Sequence, residues 1–380
     1  MFEKTKSFCD SFLELGLPGF DLAVYKDGET ILRHTGGYSD LENKIPVNGK
    51  ERYNIYSCSK VITCAAAMQL WEKGLFSLDD KLSDYMPEFS EMTVKTPDGI
   101  VPAKNPIYIH NLFEMTAGFS YNGLSDNMML ARKETDGRCP TRETMKYLAK
   151  DPLLFEPGDR WEYSLAHDVI AALVEVVSGE KFEDYVKKNI FDPLGMKDSS
   201  FMIPDEEMST VCEQYRFENG KAVNVGKRIS YKYGTEYASG GAGCISTVED
   251  YMKFLEALRV GDTILKKETI DLMCTDRLTP KQKRTFWNAS THGYGLGIRC
   301  PNGHEKRTDF GWGGAASAWL AVDRVNNLSL YFGTHMLSSP IAGLRSSLYS
   351  FVRAELLGID EDFVWISEEL KKLHNYNLTY

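Results

Sequence analysis

Ser57-Cys58-Ser59-Lys60-Val61-Ile62-Thr63-Cys64-Ala65-Ala66-Ala67-Met68-Gln69-Leu70-Trp71-Glu72 decides how the rest of this chain is read. From Val61 to Glu72 the stretch is rich in helix formers, and Lys73-Gly74 supplies a helix stop. Ser57 and Lys60 are three apart at the start of that expected helix, so they share one face. A serine hydroxyl is a weak nucleophile and needs an adjacent base. Lys60 can take its proton only when neutral, and burial and a positive helix end both push an amine toward neutrality. The same helix end favours negative charge developing near Ser57. Alone, the segment fits a buried polar residue at a helix start as well as it fits a nucleophile. A second match, Ser178-Gly179-Glu180-Lys181, ends a helical run beside a glycine, where the serine reads as a cap or turn residue.

Two further segments bear on chemistry. Trp161-Glu162-Tyr163-Ser164-Leu165 follows the Pro157-Gly158 loop and precedes a helical pattern over His167–Val177. A phenol there can move a proton if a neighbouring ammonium makes it more acidic. A tyrosine packed with its hydroxyl bonded at a cleft edge fits the same residues. Phe310-Gly311-Trp312-Gly313-Gly314-Ala315-Ala316-Ser317 leads into an expected strand, Ala318–Val322. Glycines beside a strand let a ligand or another backbone approach closely, and a backbone N–H at such an edge can hold an oxyanion. A bulge or tight bend is the plainer alternative.

Composition excludes several function classes. The 380 residues are 43% hydrophobic and 26% charged, which is ordinary for a globular chain. The net charge of -10 argues against nucleic-acid binding, which needs a basic face. The N-terminus, MFEKTKSFCDSFLELGLPGF, has no apolar signal core, and no run of about 18 apolar residues occurs, so no membrane association is expected. Cys9, Cys58, Cys64, Cys139, Cys212, Cys244, Cys274 and Cys300 form no C-x-x-C pair, which fits free thiols and a cytoplasmic location. His304-Glu305 lacks the second histidine of a zinc helix, and Gly295-Leu296-Gly297 lacks the third glycine of a dinucleotide fingerprint. No cofactor or metal is expected. None of the seven histidines stands in a triad motif.

Strand patterns lie at both ends and helical ones between. Phe20–Tyr25 and Thr30–His34 flank Lys26-Asp27-Gly28-Glu29 as a hairpin, and Ala318–Val322 and Leu328–Thr334 flank Asp323–Asn327 as another. Helical patterns cover Tyr108–Met115, Arg142–Lys150 and His167–Val177, and an amphipathic one covers Leu344–Leu357. Ser246-Thr247-Val248-Glu249 reads as a capping box opening the helix Glu249–Leu258, with a chain reversal at Gly240, Gly241 and Gly243. The expected fold class is α+β: an antiparallel sheet built from both chain ends and flanked by helices, plus a largely helical inserted region. Residues 1–56 and 226–380 form the sheet domain and residues 57–225 the helical one, with the active site in the cleft between them.

The three chemical segments, in this order, resemble the serine β-lactamase and penicillin-binding protein superfamily, most nearly class C β-lactamases and the esterases built on that fold. Ser57–Lys60 matches the Ser-x-x-Lys element, Tyr163-Ser164-Leu165 the Tyr-x-Asn element and Trp312-Gly313-Gly314 the Lys-Thr-Gly element. Pro18-Gly19-Phe20, Leu75–Pro87, His110–Gly118 and Gly240–Asp250 look like the family too, so the likeness covers nearly the whole chain. It implies an acyl-enzyme on Ser57, proton transfer shared by Lys60 and Tyr163, and an oxyanion hole of the Ser57 and Ala315 N–H groups. It implies substrate contacts at Leu165, Trp312, Gly313 and Gly314; separately, the loop positions of Tyr121, Trp161, Trp287 and Trp312 are read as lining an apolar cleft, with Tyr121 in contact with substrate. Leu165 replaces the asparagine that holds a β-lactam side-chain amide, and Trp312 replaces the lysine that fixes a substrate carboxylate. Both departures turn the expectation toward hydrolysis of a small-molecule carboxylic ester. The alternatives are amide, β-lactam or D-amino-acid peptide substrates, and a catalytically silent binding protein of the same fold.

Overall fold

The computed structural model describes residues 1–227, 229, 231–303, 307–358 and 363–377. The first hairpin forms where the strand patterns and turn residues place it. Strands β1 (Gly19–Lys26) and β2 (Glu29–Asp40) meet at Asp27 and Gly28, whose φ of 53° and 89° suit the twist of a two-residue hairpin. Strand β3 (Ile45–Pro46) pairs with the end of β2. The late hairpin joins β4 (Trp319–Asp323) to β5 (Leu328–Thr334). Its turn is held by Asp323 Oδ1, which accepts from the Val325 and Asn326 amides at 2.9 and 3.0 Å. The two hairpins join through β1 and β5, with Phe20 opposite Thr334 and Lys26 opposite Leu328. The order is β4-β5-β1-β2-β3, antiparallel throughout. The fold is α+β, with an antiparallel sheet drawn from both chain ends and flanked by helices, as the sequence predicts.

Alternation along the strands sends side chains into two cores. On one face Phe20, Leu22, Val24, Leu330 and Phe332 pack with Phe8 and Phe12 of helix α1 (Glu3–Glu14) and with Leu348 and Val352 near the C-terminus. On the other face Ala23 and Tyr331 join the larger core around helix α2 (Ser59–Glu72). Every residue of α2 from Ser59 to Leu70 is buried, as suits a helix apolar on all sides. It packs against α3 (Ala166–Ser178), while Tyr251 of α4 (Val248–Val260) stacks on Tyr331 of the sheet with ring centroids 4.3 Å apart.

Some boundaries differ from expectation. Ser57 lies in a 3-10 turn, Tyr56–Cys58, and α2 begins only at Ser59. Thr247, rather than Ser246, caps α4, its hydroxyl accepting from the Asp250 amide at 3.1 Å. Ser246 Oγ instead shares a 2.8 Å bond with Ser199 Oγ, a partner that local spacing does not reveal. The terminal helix α5 (Ser347–Leu357) begins three residues later than expected, after a turn over residues 344–346 that follows the 3-10 turn Pro340–Gly343. All eight cysteines are free thiols, and no described helix is long and apolar enough to cross a membrane.

Candidate active site

The turn before α2 aims Ser57 out of the core. Tyr56 takes a left-handed backbone, φ 48°, which is unusual for an aromatic residue, and its hydroxyl bonds the Gln214 side chain. Ser57 reaches a cavity of about 410 Å³, a size that suits a small ligand. One turn on, Lys60 is fully buried. Its Nζ donates to Gly241 O at 2.7 Å and lies 3.4 Å from Ser57 Oγ and 3.5 Å from Tyr121 Oη. Tyr163, from the loop before α3, puts its Oη 2.6 Å from Ser57 Oγ, and Lys60 Nζ sits 4.5 Å above its ring. Two separated segments thus bring a hydroxyl, an amine and a phenol together.

The glycines read as a chain reversal also give Lys60 its room. A Cβ on Gly241 would fall 2.5 Å from Asp168 Oδ2 and 3.3 Å from Lys60 Nζ. Asp168 is buried on α3 and accepts from Ser239 Oγ at 2.7 Å and Tyr237 Oη at 3.0 Å. Burial pushes its carboxyl above the ordinary range, while the Ser239 bond, the Lys60 charge and the Tyr237 bond pull it back. No sequence signal marked Asp168 or the Gly241 carbonyl as neighbours of Lys60.

The third segment faces Ser57 across the cavity. A Cβ on Gly314 would lie 2.5 Å from Ile55 O, so only glycine lets this strand edge approach the Ser57 turn. Ala315 is exposed and lines the cavity with Ser57. Neither the Ser57 nor the Ala315 N–H donates to a protein acceptor among the described residues. Trp312 Nε1 donates to Tyr163 Oη at 3.4 Å, so an indole N–H holds the phenol oxygen.

Trp312, Gly313 and Gly314 line the cavity, as does Trp287, which is 62% exposed at its edge. Three residues read as facing the cleft are absent from its lining. Leu165 is 1% exposed and packs in the core, because an aliphatic side chain at the start of α3 gains more from burial than from the cavity. Tyr121 stands behind the wall, stacked on Tyr163 at 5.2 Å and near Lys60. Trp161 is also core, supporting Trp287 edge-on at 4.8 Å. Residues that the sequence left unmarked complete the lining, notably His292, Arg299 and Arg345. Burial, with the charges of Arg299 and Arg307, pushes His292 down to about 3, so its ring is neutral near pH 7. Among the described residues no cluster of three or more His, Cys, Asp or Glu is arranged to hold a metal ion, and His304, Glu305 and Lys306 lie outside them.

Comparisons with known proteins bear on the family and the fold. Residues 6–339 match the family model described as Beta-lactamase. Esterase EstB of Burkholderia gladioli is 27% identical over 385 residues, covering 90% of this chain and 93% of its own. Lovastatin esterase of Penicillium rubens is 30% identical over 310 residues, covering 72% and 76%. Among solved structures, EstCE1, described as a hydrolase with promiscuous acyltransferase activity, superposes with a TM-score of 0.73 at 23% identity, covering 92% of this chain and 99% of its own.

Proposed function

Because the chain belongs to the beta-lactamase family and is a hydrolase of it, we propose that it cleaves small carboxylic esters through an acyl-enzyme on Ser57. One observation carries the proposal: Ser57 Oγ lies 2.6 Å from Tyr163 Oη and 3.4 Å from Lys60 Nζ, at the wall of a cavity. Ser57 Oγ attacks the ester carbonyl carbon while Lys60 and Tyr163 take its proton. The carbonyl oxygen becomes an oxyanion and accepts from the Ser57 and Ala315 N–H groups. The intermediate collapses, the carbonyl–alkoxy bond breaks, and the same pair returns the proton to the leaving alcohol. Water then attacks the acyl-enzyme, with Tyr163 as base, releasing the acid and restoring Ser57. The Trp312 N–H steadies the Tyr163 oxygen whenever negative charge gathers there. We assign residues 1–56 with 226–380 to one domain and residues 57–225 to the other, with this site between them.

Esters are favoured over β-lactams because Leu165 is buried and Trp312 stands where a lysine would hold the ligand. The names of the two esterase relatives support the same choice. An alcohol in place of water at the second step would give acyl transfer with the same residues, the side activity named for EstCE1. Side-by-side assays of p-nitrophenyl butyrate and a chromogenic cephalosporin test the reading. It expects the ester to be turned over at least about a hundredfold faster in kcat/KM, the scale on which sites reject ligands that leave their polar groups unmatched. A faster cephalosporin would overturn ester specificity, and no turnover of either would favour a silent binding protein.

A further inference from the structure

Lys60 has no countercharge in direct contact. Among the described residues its Nζ touches neutral oxygens: Gly241 O at 2.7 Å, Ser57 Oγ at 3.4 Å and Tyr121 Oη at 3.5 Å. When the Ser57 proton reaches the Lys60–Tyr163 pair, a positive charge appears at a fully buried position. A buried charge is costly unless an opposite one stands near.

The glycine reversal behind Lys60 brings such a charge. Asp168 Oδ1 accepts from Ser239 Oγ at 2.7 Å and from Tyr237 Oη at 3.0 Å. Ser239 Oγ in turn accepts from the Ala242 amide at 3.1 Å, and Ser239 O accepts from the Gly243 amide at 2.8 Å. These bonds close the reversal that presents Gly241 O to Lys60. Thr63 Oγ1 donates to Gly240 O at 2.7 Å and ties the same reversal to α2. A Cβ on Gly241 would touch both Asp168 Oδ2, at 2.5 Å, and Lys60 Nζ, at 3.3 Å, so carboxylate and amine flank the space of one absent methyl group. A side-chain amide oxygen would accept the two hydroxyls equally well, so those bonds alone do not call for a charge; a lysine across one glycine does. The other titratable groups around the pair are neutral near pH 7. Burial raises the Tyr121, Tyr233 and Tyr237 phenols and the Cys64 thiol and lowers the His167 imidazole, while Tyr163 is the proton partner itself.

Resting on the esterase reading, we propose that Asp168 is a positioning residue for Lys60: it holds the reversal that presents Gly241 O and supplies the countercharge to the Lys60 ammonium. Ser57, Lys60 and Asp168 then serve as nucleophile, base and orienting group, the logic of a triad with an amine in place of an imidazole. Asp168→Asn tests this on the whole chain. It keeps the shape and removes the charge, so the ammonium is less favoured and Lys60 gives up its proton more readily. With p-nitrophenyl butyrate, kcat is expected to fall about tenfold to a hundredfold with KM within about threefold, the scale on which partners behind a working group act elsewhere. The limb of the pH–kcat profile set by Lys60 is expected to move to lower pH by at least about half a unit. Added to Lys60→Met, Asp168→Asn is expected to change the residual rate less than about twofold, because the group it serves is already gone. A profile that drops without moving, or a further tenfold loss in the Lys60→Met background, would assign Asp168 to loop structure alone and overturn the proposal while leaving the esterase reading intact. If no ester is turned over, that reading falls and urea unfolding of the same variants decides the pairing. The loss of midpoint in Lys60→Met/Asp168→Asn is expected to be smaller than the two single losses together, and additive losses would overturn the proposal. Should Asp168→Asn alone not fold, recovery of folding in the double variant supports the pairing, and its absence overturns it.

Discussion

Ser57 precedes a buried helix, and Ser178 ends one. Both begin a Ser-x-x-Lys segment, but only at Ser57 does the helix continue through the lysine. Lys60 is held in the first turn of α2 with its amine beside Ser57 Oγ and Gly241 O. Ser178 is the last residue of α3, and its hydroxyl donates back to Val174 O at 2.6 Å and accepts from the Glu180 amide at 3.1 Å. Gly179 then turns left-handed, φ 73°, and Lys181 is exposed to solvent. A three-residue spacing carries chemistry only when unbroken helix keeps both side chains on one face and the surroundings exclude water.

Substitutions at the two segments can break this contrast. Ser57→Ala is expected to lower kcat for p-nitrophenyl butyrate on the order of 10⁴-fold or more, as loss of a nucleophile does elsewhere. Lys60→Ala and Tyr163→Phe should each cost at least about a hundredfold, the scale of general acid–base assistance. An unchanged rate in either would move the base to another residue. Gly314→Ala is expected to cost about a hundredfold in kcat, because its Cβ would collide with Ile55 O and displace one oxyanion donor. Circular dichroism on the same sample separates that loss from unfolding. Trp312→Phe removes one neutral N–H bond to Tyr163 and should cost about two- to tenfold. Ser178→Ala with Lys181→Ala should leave kcat within about twofold of wild type, since solvent-side changes rarely exceed about 0.5 kcal/mol. A large loss there would mean that the second segment acts in the chemistry after all.

The same contrast explains what the sequence could reveal. Local signals were sufficient where local physics decides. Asp27-Gly28 marked a hairpin because both residues tolerate positive φ, and the apolar run Phe20–Tyr25 marked a strand, which the two cores bury on both faces. The reacting side chains were legible because their residue types are few and their order along the chain resembles a known family. Tertiary choices were not legible. Thr247 caps α4 because Ser246 is drawn to Ser199, 47 residues away. Leu165 and Trp161 face the core because of neighbours from other segments. Helix α1, interrupted by charges, shows its apolar side only against the sheet and α5, where Thr5 Oγ1 donates to Glu355 at 2.6 Å. Arg345 lay inside a terminal helical pattern, and nothing in that pattern distinguishes an arginine at a cavity wall from one in solvent.

Mass spectrometry of the intact chain after exposure to a fluorophosphonate, followed by peptide mapping, tests the nucleophile most directly. A single adduct on the peptide containing Ser57, missing from Ser57→Ala and slowed in Lys60→Ala, is the predicted result. An adduct that maps to another residue, or that persists in Ser57→Ala, would contradict it.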